Sequence, residues 1–141
     1  GDGWTIFNDQ NAEGSSAQYS RPNNGDEFSW HVHTLPNTFD VYVWKFETTV
    51  VPGLESNAKY EIRHSLGRIT KTVDWTTPGN EWSYLGRYTF RDDPDQGVYL
   101  SDSANGYVIA DAVRIENIGP PWQNVRDTPK IKGPNLGPFS I

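Results

Sequence analysis

The stretch from residue 39 to 46 constrains the fold of this chain most, because it is apolar on both faces of the strand that it predicts. Side chains alternate between the two faces of a strand. One face carries Phe39, Val41 and Val43, and the other carries the aromatic rings Tyr42, Trp44 and Phe46. Large exposed apolar patches are uncommon on soluble monomers, so the aromatic side must be a second core layer, a covered surface or a binding platform. With the rest of the chain considered, the first face is the expected core.

Length and composition exclude several classes of function. A chain of 141 residues suits one domain, or one domain with a tail. It contains no Cys, which excludes disulfides, thiolate metal sites and Cys nucleophiles, and no Met, so Gly1 is expected to begin a piece of a longer protein. A net charge of −6 disfavours nucleic acid as a partner. No apolar run reaches the roughly 18 residues that a membrane span needs, so no membrane partner is expected.

Short segments rich in Val, Ile, Thr and aromatic residues predict an all-β domain. Clear alternation or strand-like composition occurs over residues 28–34, 58–64, 68–74, 82–90 and 107–115. Residues 58–64 and 68–74 predict a hairpin, and the polar stretch 8–26 predicts a loop with one small extra strand. Eight or nine strands at spacings of about ten residues favour an antiparallel β-sandwich of jelly-roll type.

The composition changes at residue 119, where Pro and Gly become frequent. A segment so rich in Pro cannot supply a central strand. We therefore predict a β-sandwich module over residues 1–118 and an irregular Pro/Gly-rich linker or surface strap over residues 119–141.

Six short motifs follow one another along residues 4–117. They are Ile6-Phe7-Asn8-Asp9; Phe28-Ser29-Trp30 with Leu35-Pro36 and Phe39-Asp40-Val41-Tyr42-Val43-Trp44; Asn57-Ala58-Lys59-Tyr60-Glu61-Ile62; Trp82-Ser83-Tyr84-Leu85-Gly86-Arg87-Tyr88-Thr89-Phe90; Val98-Tyr99-Leu100-Ser101-Asp102; and Val108-Ile109-Ala110-Asp111-Ala112-Val113-Arg114. In this order they resemble the golvesin C-terminal-like domain, a β-sandwich module also found at the end of xanthan lyases and other large secreted bacterial proteins. The chain departs from that pattern at residues 50–56 and around Trp75.

The resemblance implies an extracellular, non-catalytic accessory domain of a polysaccharide-active or surface protein. Its expected partners are a polysaccharide or glycan and the neighbouring domains of the parent protein. The alternatives are a structural spacer or protein-docking domain and, more distantly, a fragment of a hydrolase or lyase. Catalysis by this chain is disfavoured, because the sequence has neither a marked carboxylate pair nor a Gly-x-Ser-x-Gly nucleophile motif.

Carbohydrate-binding modules combine aromatic platforms with polar side chains that bond sugar hydroxyls. The predicted platforms are Tyr42, Trp44 and Trp75, and the predicted polar contacts are Arg63, Glu61 and His33, provided that their strands share a sheet. Trp30 and Trp82 share their strand faces with apolar residues and are predicted to be core. Alternatively, the platform rings pack under loops, or under the strap that carries Trp122.

Metal sites are the remaining hypotheses, and no cofactor is certain. Asp93 and Asp95 lie in an acidic turn that resembles a fragment of a calcium loop but lacks its later Glu, so a solvated hairpin tip is favoured. Asp111 lies among apolar neighbours; we predict first an ion pair or a backbone-amide acceptor, and second a structural calcium. A His31-x-His33 pair, joined by His64, is a weaker metal hypothesis.

Overall fold

The computed structural model describes residues 3–32 and 36–119. Within them the chain forms ten β-strands and a short 3-10 turn at Glu13–Ser15, with no α-helix. The strands are β1 Thr5–Asn8, β2 Ser16–Ser20, β3 Glu27–His31, β4 Asn37–Lys45, β5 Ala58–His64, β6 Gly67–Val73, β7 Glu81–Phe90, β8 Gly97–Ser101, β9 Val108–Ala110 and β10 Val113–Gly119. In this part of the chain no helix is long and apolar enough to cross a membrane.

The strands pair into three antiparallel sheets, with the orders β1-β2-β9, β10-β4-β7 and β3-β8-β5-β6. Only Asp111 and Ala112 separate β9 from β10, and the Trp44 amide donates to the Ala112 carbonyl at 2.9 Å. We therefore treat β9 and β10 as one interrupted strand, which joins the first two sheets into one layer. The order β2, β9/β10, β4, β7 in that layer, against β3-β8-β5-β6 in the other, is that of a jelly roll. This confirms the predicted β-sandwich.

The predicted strands match the observed ones closely, with one break. All of the stretch 39–46 except Phe46 lies in β4, the hairpin is β5 and β6 paired along their whole length, and the small extra strand in the first loop is β2. The stretch 107–115 was predicted as one strand, whereas the chain leaves the β-ladder at Asp111. The interruption lets β9 pair with β2 and β10 pair with β4.

The core lies between the two layers and follows the alternation of the strands. Phe39, Val41 and Val43 of β4 are 5%, 0% and 2% exposed, and Tyr60 and Ile62 of β5 face them from the other layer at 2% and 0%. Burying such side chains is the main favourable term in the stability of a domain of this size. The prediction that Phe39, Val41 and Val43 form the core set is confirmed.

Phe46 does not share the outer face of Tyr42 and Trp44, as simple alternation predicted. It follows the last residue of β4 and is 1% exposed. Its ring packs against Phe7 at 6.3 Å and against Trp75 at 5.3 Å between centroids. Alternation stops where the strand ends, so Phe46 turns back into the core.

A β-bulge divides β7. Val41 pairs with Gly86 and the next residue of β4, Tyr42, pairs with Tyr84, so Leu85 is an extra residue on β7. Leu85 and Gly86 therefore both lie on the core side. Gly86 has φ +123°, and a Cβ there would lie 2.5 Å from the hydroxyl oxygen of Tyr88. Glycine is required at this position by both the backbone angle and the close approach of the ring.

The predicted strap lies almost wholly outside the described residues. Its first residue, Gly119, ends β10. Residues 120–141, including Trp122, are not among those that the structure describes, and neither is His33.

Candidate functional site

Four aromatic rings lie together on the outer side of β4 and β7. In the antiparallel ladder Tyr42 stands opposite Tyr84, and Trp44 stands opposite Trp82. The ring centroids are 5.2 Å apart in both pairs, with interplanar angles of 51° and 56°. We call this surface, formed by Tyr42, Trp44, Trp82 and Tyr84, the aromatic face. Cross-strand aromatic pairs of this kind stabilise a sheet and fix the rings relative to each other.

The rings of the aromatic face differ in exposure. Tyr84 is 56% exposed, whereas Tyr42, Trp44 and Trp82 are partly buried. Trp44 packs against the core, and its indole N–H donates to the backbone carbonyl of Asn11 at 2.8 Å. The aromatic face is therefore anchored at Trp44 and open to solvent at Tyr84.

Arg114 extends the aromatic face onto β10. It pairs with Tyr42 across the ladder, and its guanidinium carbon lies 4.4 Å from the centroid of the Tyr42 ring and 5.3 Å from that of Trp82. Cation–π contacts are favourable at these distances. Among the described residues no carboxylate pairs with this guanidinium.

Asp40 supports the exposed end of the aromatic face. Both of its carboxylate oxygens accept from Arg87, at 3.0 Å each, and Oδ1 also accepts from the Tyr84 hydroxyl at 2.8 Å. The hydrogen bond from Arg87 holds the pKa of Asp40 below its usual value against the opposing effect of burial, and the Tyr84 hydroxyl adds to this lowering. Donation to Asp40 in turn raises the pKa of Tyr84. The bulge in β7 allows Tyr84 and Arg87, three residues apart, to reach the same carboxylate.

Glu61 and Arg63 lie on the other layer and do not join Tyr42 and Trp44. Their strand, β5, pairs with β6 and β8, whereas β4 pairs with β7 and β10. The prediction that these two side chains supply polar contacts to the rings is therefore wrong. His33, the third predicted polar contact, lies outside the described residues.

Arg63 and Glu61 belong instead to a network on the outer side of β3, β5, β6 and β8, which we call the charged face. The Arg63 guanidinium carbon lies 3.5 Å from the centroid of the Tyr99 ring. The same guanidinium pairs with Glu61 at 2.6 Å and with Glu27 at 3.7 Å, and Arg68 approaches Glu61 at 3.8 Å. Here both arginines already have a carboxylate partner.

Trp75 is a core residue. It is 4% exposed, its indole N–H donates to the Tyr60 hydroxyl at 3.3 Å, and its ring packs edge-on against Phe46 at 5.3 Å. Its backbone amide donates to the carbonyl of Glu55 at 3.0 Å, which draws it beneath the preceding loop. The prediction of an exposed platform at Trp75 is wrong, although the residue does line a groove of about 450 Å³ between residues 47–54 and 75–78.

Asp111 accepts a backbone hydrogen bond, the first of the two roles predicted for it. Its Oδ2 accepts from the Glu13 amide at 2.9 Å. Burial raises the pKa of Asp111 to about 6; the Glu13 amide lowers it and the charge of Glu13 raises it.

The predicted calcium ligands do not come together. Asp93 accepts from the amide of Asp95 at 2.9 Å, within the tip of an exposed turn. Within residues 3–32 and 36–119 no three His, Asp or Glu side chains are placed to hold a metal ion. In this part of the chain no set of three ligating side chains therefore forms around Asp111, Asp93 or Asp95. The His31-x-His33 pair, joined by His64, stays a prediction because His33 lies outside the described residues.

The sequence patterns did not predict three members of the site, which are Trp82, Tyr84 and Arg114. Trp82 was predicted to be core, but it is partly exposed and faces outward beside Trp44. A signal for it was present, because Trp82 and Tyr84 alternate in the same way as Tyr42 and Trp44. Using that signal requires knowing that β4 and β7 are neighbours.

The fold and the aromatic face define a jelly-roll β-sandwich module with one aromatic outer surface. The chain belongs to the Golvesin C-terminal domain family, whose model matches residues 1–117. This confirms the resemblance drawn from the six motifs.

The fold is also similar to part of a solved xanthan lyase from Paenibacillus. The match has a TM-score of 0.65 and 28% sequence identity, and it covers 82% of this chain but 11% of that chain. The chain therefore corresponds to a small part of that protein. A comparison with curated proteins found no match.

Proposed function

We propose that this chain is a non-catalytic carbohydrate-binding module and an accessory domain of a larger, secreted bacterial polysaccharide-active or surface protein. The observation that carries the proposal is the aromatic face, with two ring pairs at 5.2 Å on one outer sheet surface. Sugars present apolar C–H faces ringed by hydroxyls, and such faces stack on aromatic rings.

The dimensions of the aromatic face suit a short stretch of glycan. Neighbouring strands lie about 5 Å apart, and side chains two residues apart on one strand are about 7 Å apart. Four rings in this arrangement form a continuous floor for one or two sugar residues. Arg114 lies at its margin, where hydrogen bonds to sugar hydroxyls would form. The Tyr84 hydroxyl already donates to Asp40, so Tyr84 would contribute mainly its ring.

Two further observations support an accessory role. The family match and the similarity to a small part of a xanthan lyase both suit a domain attached to a larger enzyme, which holds that enzyme near its polymer. Asp40 also has both oxygens bonded to Arg87 and a lowered pKa, which suits support of the rings better than acid catalysis. Single weak modules gain avidity from their neighbours, so modest affinity is expected.

Affinity gel electrophoresis of the 141-residue chain through gels that contain neutral or acidic polysaccharides tests the proposal. We expect at least one polymer to retard the wild-type chain. Tyr84→Ala or Trp82→Ala should weaken this retardation about tenfold or more, if a sugar ring stacked on an aromatic side chain contributes roughly the 1–3 kcal/mol known for a stacked nucleobase. Tyr84→Phe keeps the ring and should retain most of the binding. Leu66→Ala, at an exposed hairpin on the other layer, is the surface control.

Two results would contradict carbohydrate binding at this face. One is retardation by a polymer that is unchanged in Tyr84→Ala and Trp82→Ala while both variants keep the wild-type circular dichroism. The other is protection of the aromatic face from hydrogen exchange in the full-length protein without any glycan, which would favour docking of a neighbouring domain.

A further inference from the structure

Arg114 differs from the other arginines on the outer faces of the described strands. Arg63, Arg68 and Arg87 each pair with a carboxylate, at 2.6, 3.8 and 3.0 Å. Arg114 has its guanidinium stacked on two rings and no carboxylate partner within the described part of the chain. Glu116 lies two residues further along β10 on the same face and makes no ion pair with it.

A stacked guanidinium without an ion-pair partner is suited to bind a carboxylate. Stacking uses the flat face of the group and leaves its N–H donors at the edges, in the fork geometry that matches the two oxygens of a carboxylate. The rings also restrict the side chain before binding, which lowers the entropic cost of forming the pair.

We propose that the aromatic face selects glycans that carry carboxylates, such as uronic acid residues, with Arg114 pairing one carboxylate while the rings stack against the sugar. This inference rests on the proposed function and adds the chemical class of the ligand. Asp40 does not compete for Arg114, because Arg87 and Tyr84 already occupy it.

The net charge of the chain strengthens the case for a specific contact. With a formal charge of −6, the protein as a whole repels a polyanion, so long-range attraction cannot account for binding of an acidic polymer. Binding would depend on a local contact at Arg114, so removing that one cation should greatly weaken the affinity for an acidic polymer.

The test uses polygalacturonate, alginate and hyaluronan, each also supplied after chemical reduction of its carboxylates to primary alcohols. We expect the full chain to be retarded by at least one acidic polymer, and reduction of that polymer to weaken retardation roughly tenfold or more, the loss typical of a deleted charged hydrogen bond. Arg114→Gln should bind the acidic polymer as weakly as wild type binds the reduced one, with no further loss on reduction. Arg114→Lys should fall between them, because it keeps the charge and loses the fork.

Arg68→Gln is the matched control, since it makes the same charge change on the opposite layer at an exposed side chain. Equal retardation of wild type by acidic and reduced polymers would overturn the carboxylate preference and leave the proposed function standing. A preference for acidic polymers that survives in Arg114→Gln would overturn the role of Arg114. Retardation by none of these polymers, with a neutral polysaccharide of the first panel still retarding the chain, would overturn the carboxylate preference alone. Retardation by no polymer of either panel would overturn both proposals.

Discussion

Each outer face of the sandwich carries an arginine that lies over a tyrosine ring, but the charged groups around the two arginines differ. On the charged face Arg63 stacks on Tyr99 at 3.5 Å, and on the aromatic face Arg114 stacks on Tyr42 at 4.4 Å. Arg63 is flanked by Glu61 and Glu27. Arg114 has rings around it and, in the described chain, no carboxylate partner.

This difference separates a stacked arginine that belongs to the structure from one that is open to a ligand. On the charged face the guanidinium covers Tyr99, which is only 7% exposed, and its charge is neutralised within the protein. On the aromatic face Tyr84 remains 56% exposed and the arginine is not neutralised. A stacked arginine therefore indicates a binding site only when its ion-pair partners are also considered.

The largest expected effect is at Asp40, which joins the aromatic face to its sheet. Asp40→Ala should lower the free energy of unfolding by about 2 kcal/mol at pH 7, because it removes charged hydrogen bonds at a buried carboxylate. Glu61→Ala on the charged face should cost less than about 1 kcal/mol, since its ion pairs are still partly open to solvent. Urea denaturation of both variants measures the difference, and equal losses would break the contrast.

The same carboxylate gives this contrast a pH dependence. The pKa of Asp40 is lower in the folded state than in the unfolded chain, so its contribution is present above the unfolded value near 3.9 and is lost as pH falls through the folded value. The gap in unfolding free energy between wild type and Asp40→Ala should therefore narrow as pH falls below the unfolded value. A gap that persists unchanged at pH 3 would mean that the ionised carboxylate is not its source.

The next effect compares the two stacked arginines directly. Arg63→Ala should destabilise the protein by about 1 kcal/mol, because it uncovers Tyr99, removes the ion pair of Glu27 and leaves Glu61 with Arg68 alone. Arg114→Ala should cost under about 0.5 kcal/mol, since it breaks stacking alone. Thermal or urea melts measure both, and a larger loss for Arg114 would assign it a structural role.

Asp111, just before β10, should affect stability in the direction opposite to Asp40, because its ionised form destabilises the fold. Its folded pKa of about 6 lies above the unfolded value, so the contribution of Asp111 to stability is fully present below about pH 4 and is lost as pH rises through 6. Asp111→Asn still offers an oxygen to the Glu13 amide and should be more stable than wild type by about 1 kcal/mol at pH 7, after allowance for solvent screening, and equal to it at pH 4. Lower stability of the variant at pH 7 would contradict the raised pKa.

Removing divalent metal ions with a chelator should have the smallest effect on the stability of the protein. Because no three ligating side chains converge in the described residues, adding EDTA to the full chain should move the melting temperature by less than about 1 °C. A clear fall on chelation, reversed by calcium, would revive the metal hypothesis for Asp111 or Asp93.

The sequence predicted the parts of the fold that depend on local pattern. Alternation identified the core residues of β4, and the turn between residues 64 and 68 identified the β5–β6 hairpin. The ordered motifs predicted the family, and with it the sandwich. These signals lie within single strands or between strands joined by short turns.

The site was harder to predict because it depends on which distant strands become neighbours. Arg63 and Glu61 alternate outward as predicted, yet they meet Tyr99 and Glu27 because β5 pairs with β8. Tyr42 and Trp44 meet Tyr84 and Trp82 because β4 pairs with β7, some forty residues along the chain. The loop that draws Trp75 inward is likewise long and irregular, so no local pattern predicts that burial.

The bulge at Leu85 and Gly86 has a consequence for how this strand tolerates change. Leu85 is the extra residue and shares the core side with Gly86, so loss of either one would remove the bulge and leave a strand of strict alternation. Arg87 would still point toward Asp40, and Phe90 would stay buried. A one-residue deletion elsewhere in β7 would instead move the residues beyond it to the opposite side, and should be far more damaging. An alignment of relatives that places a gap in this strand away from the bulge would therefore assign the wrong half of it to the ligand side.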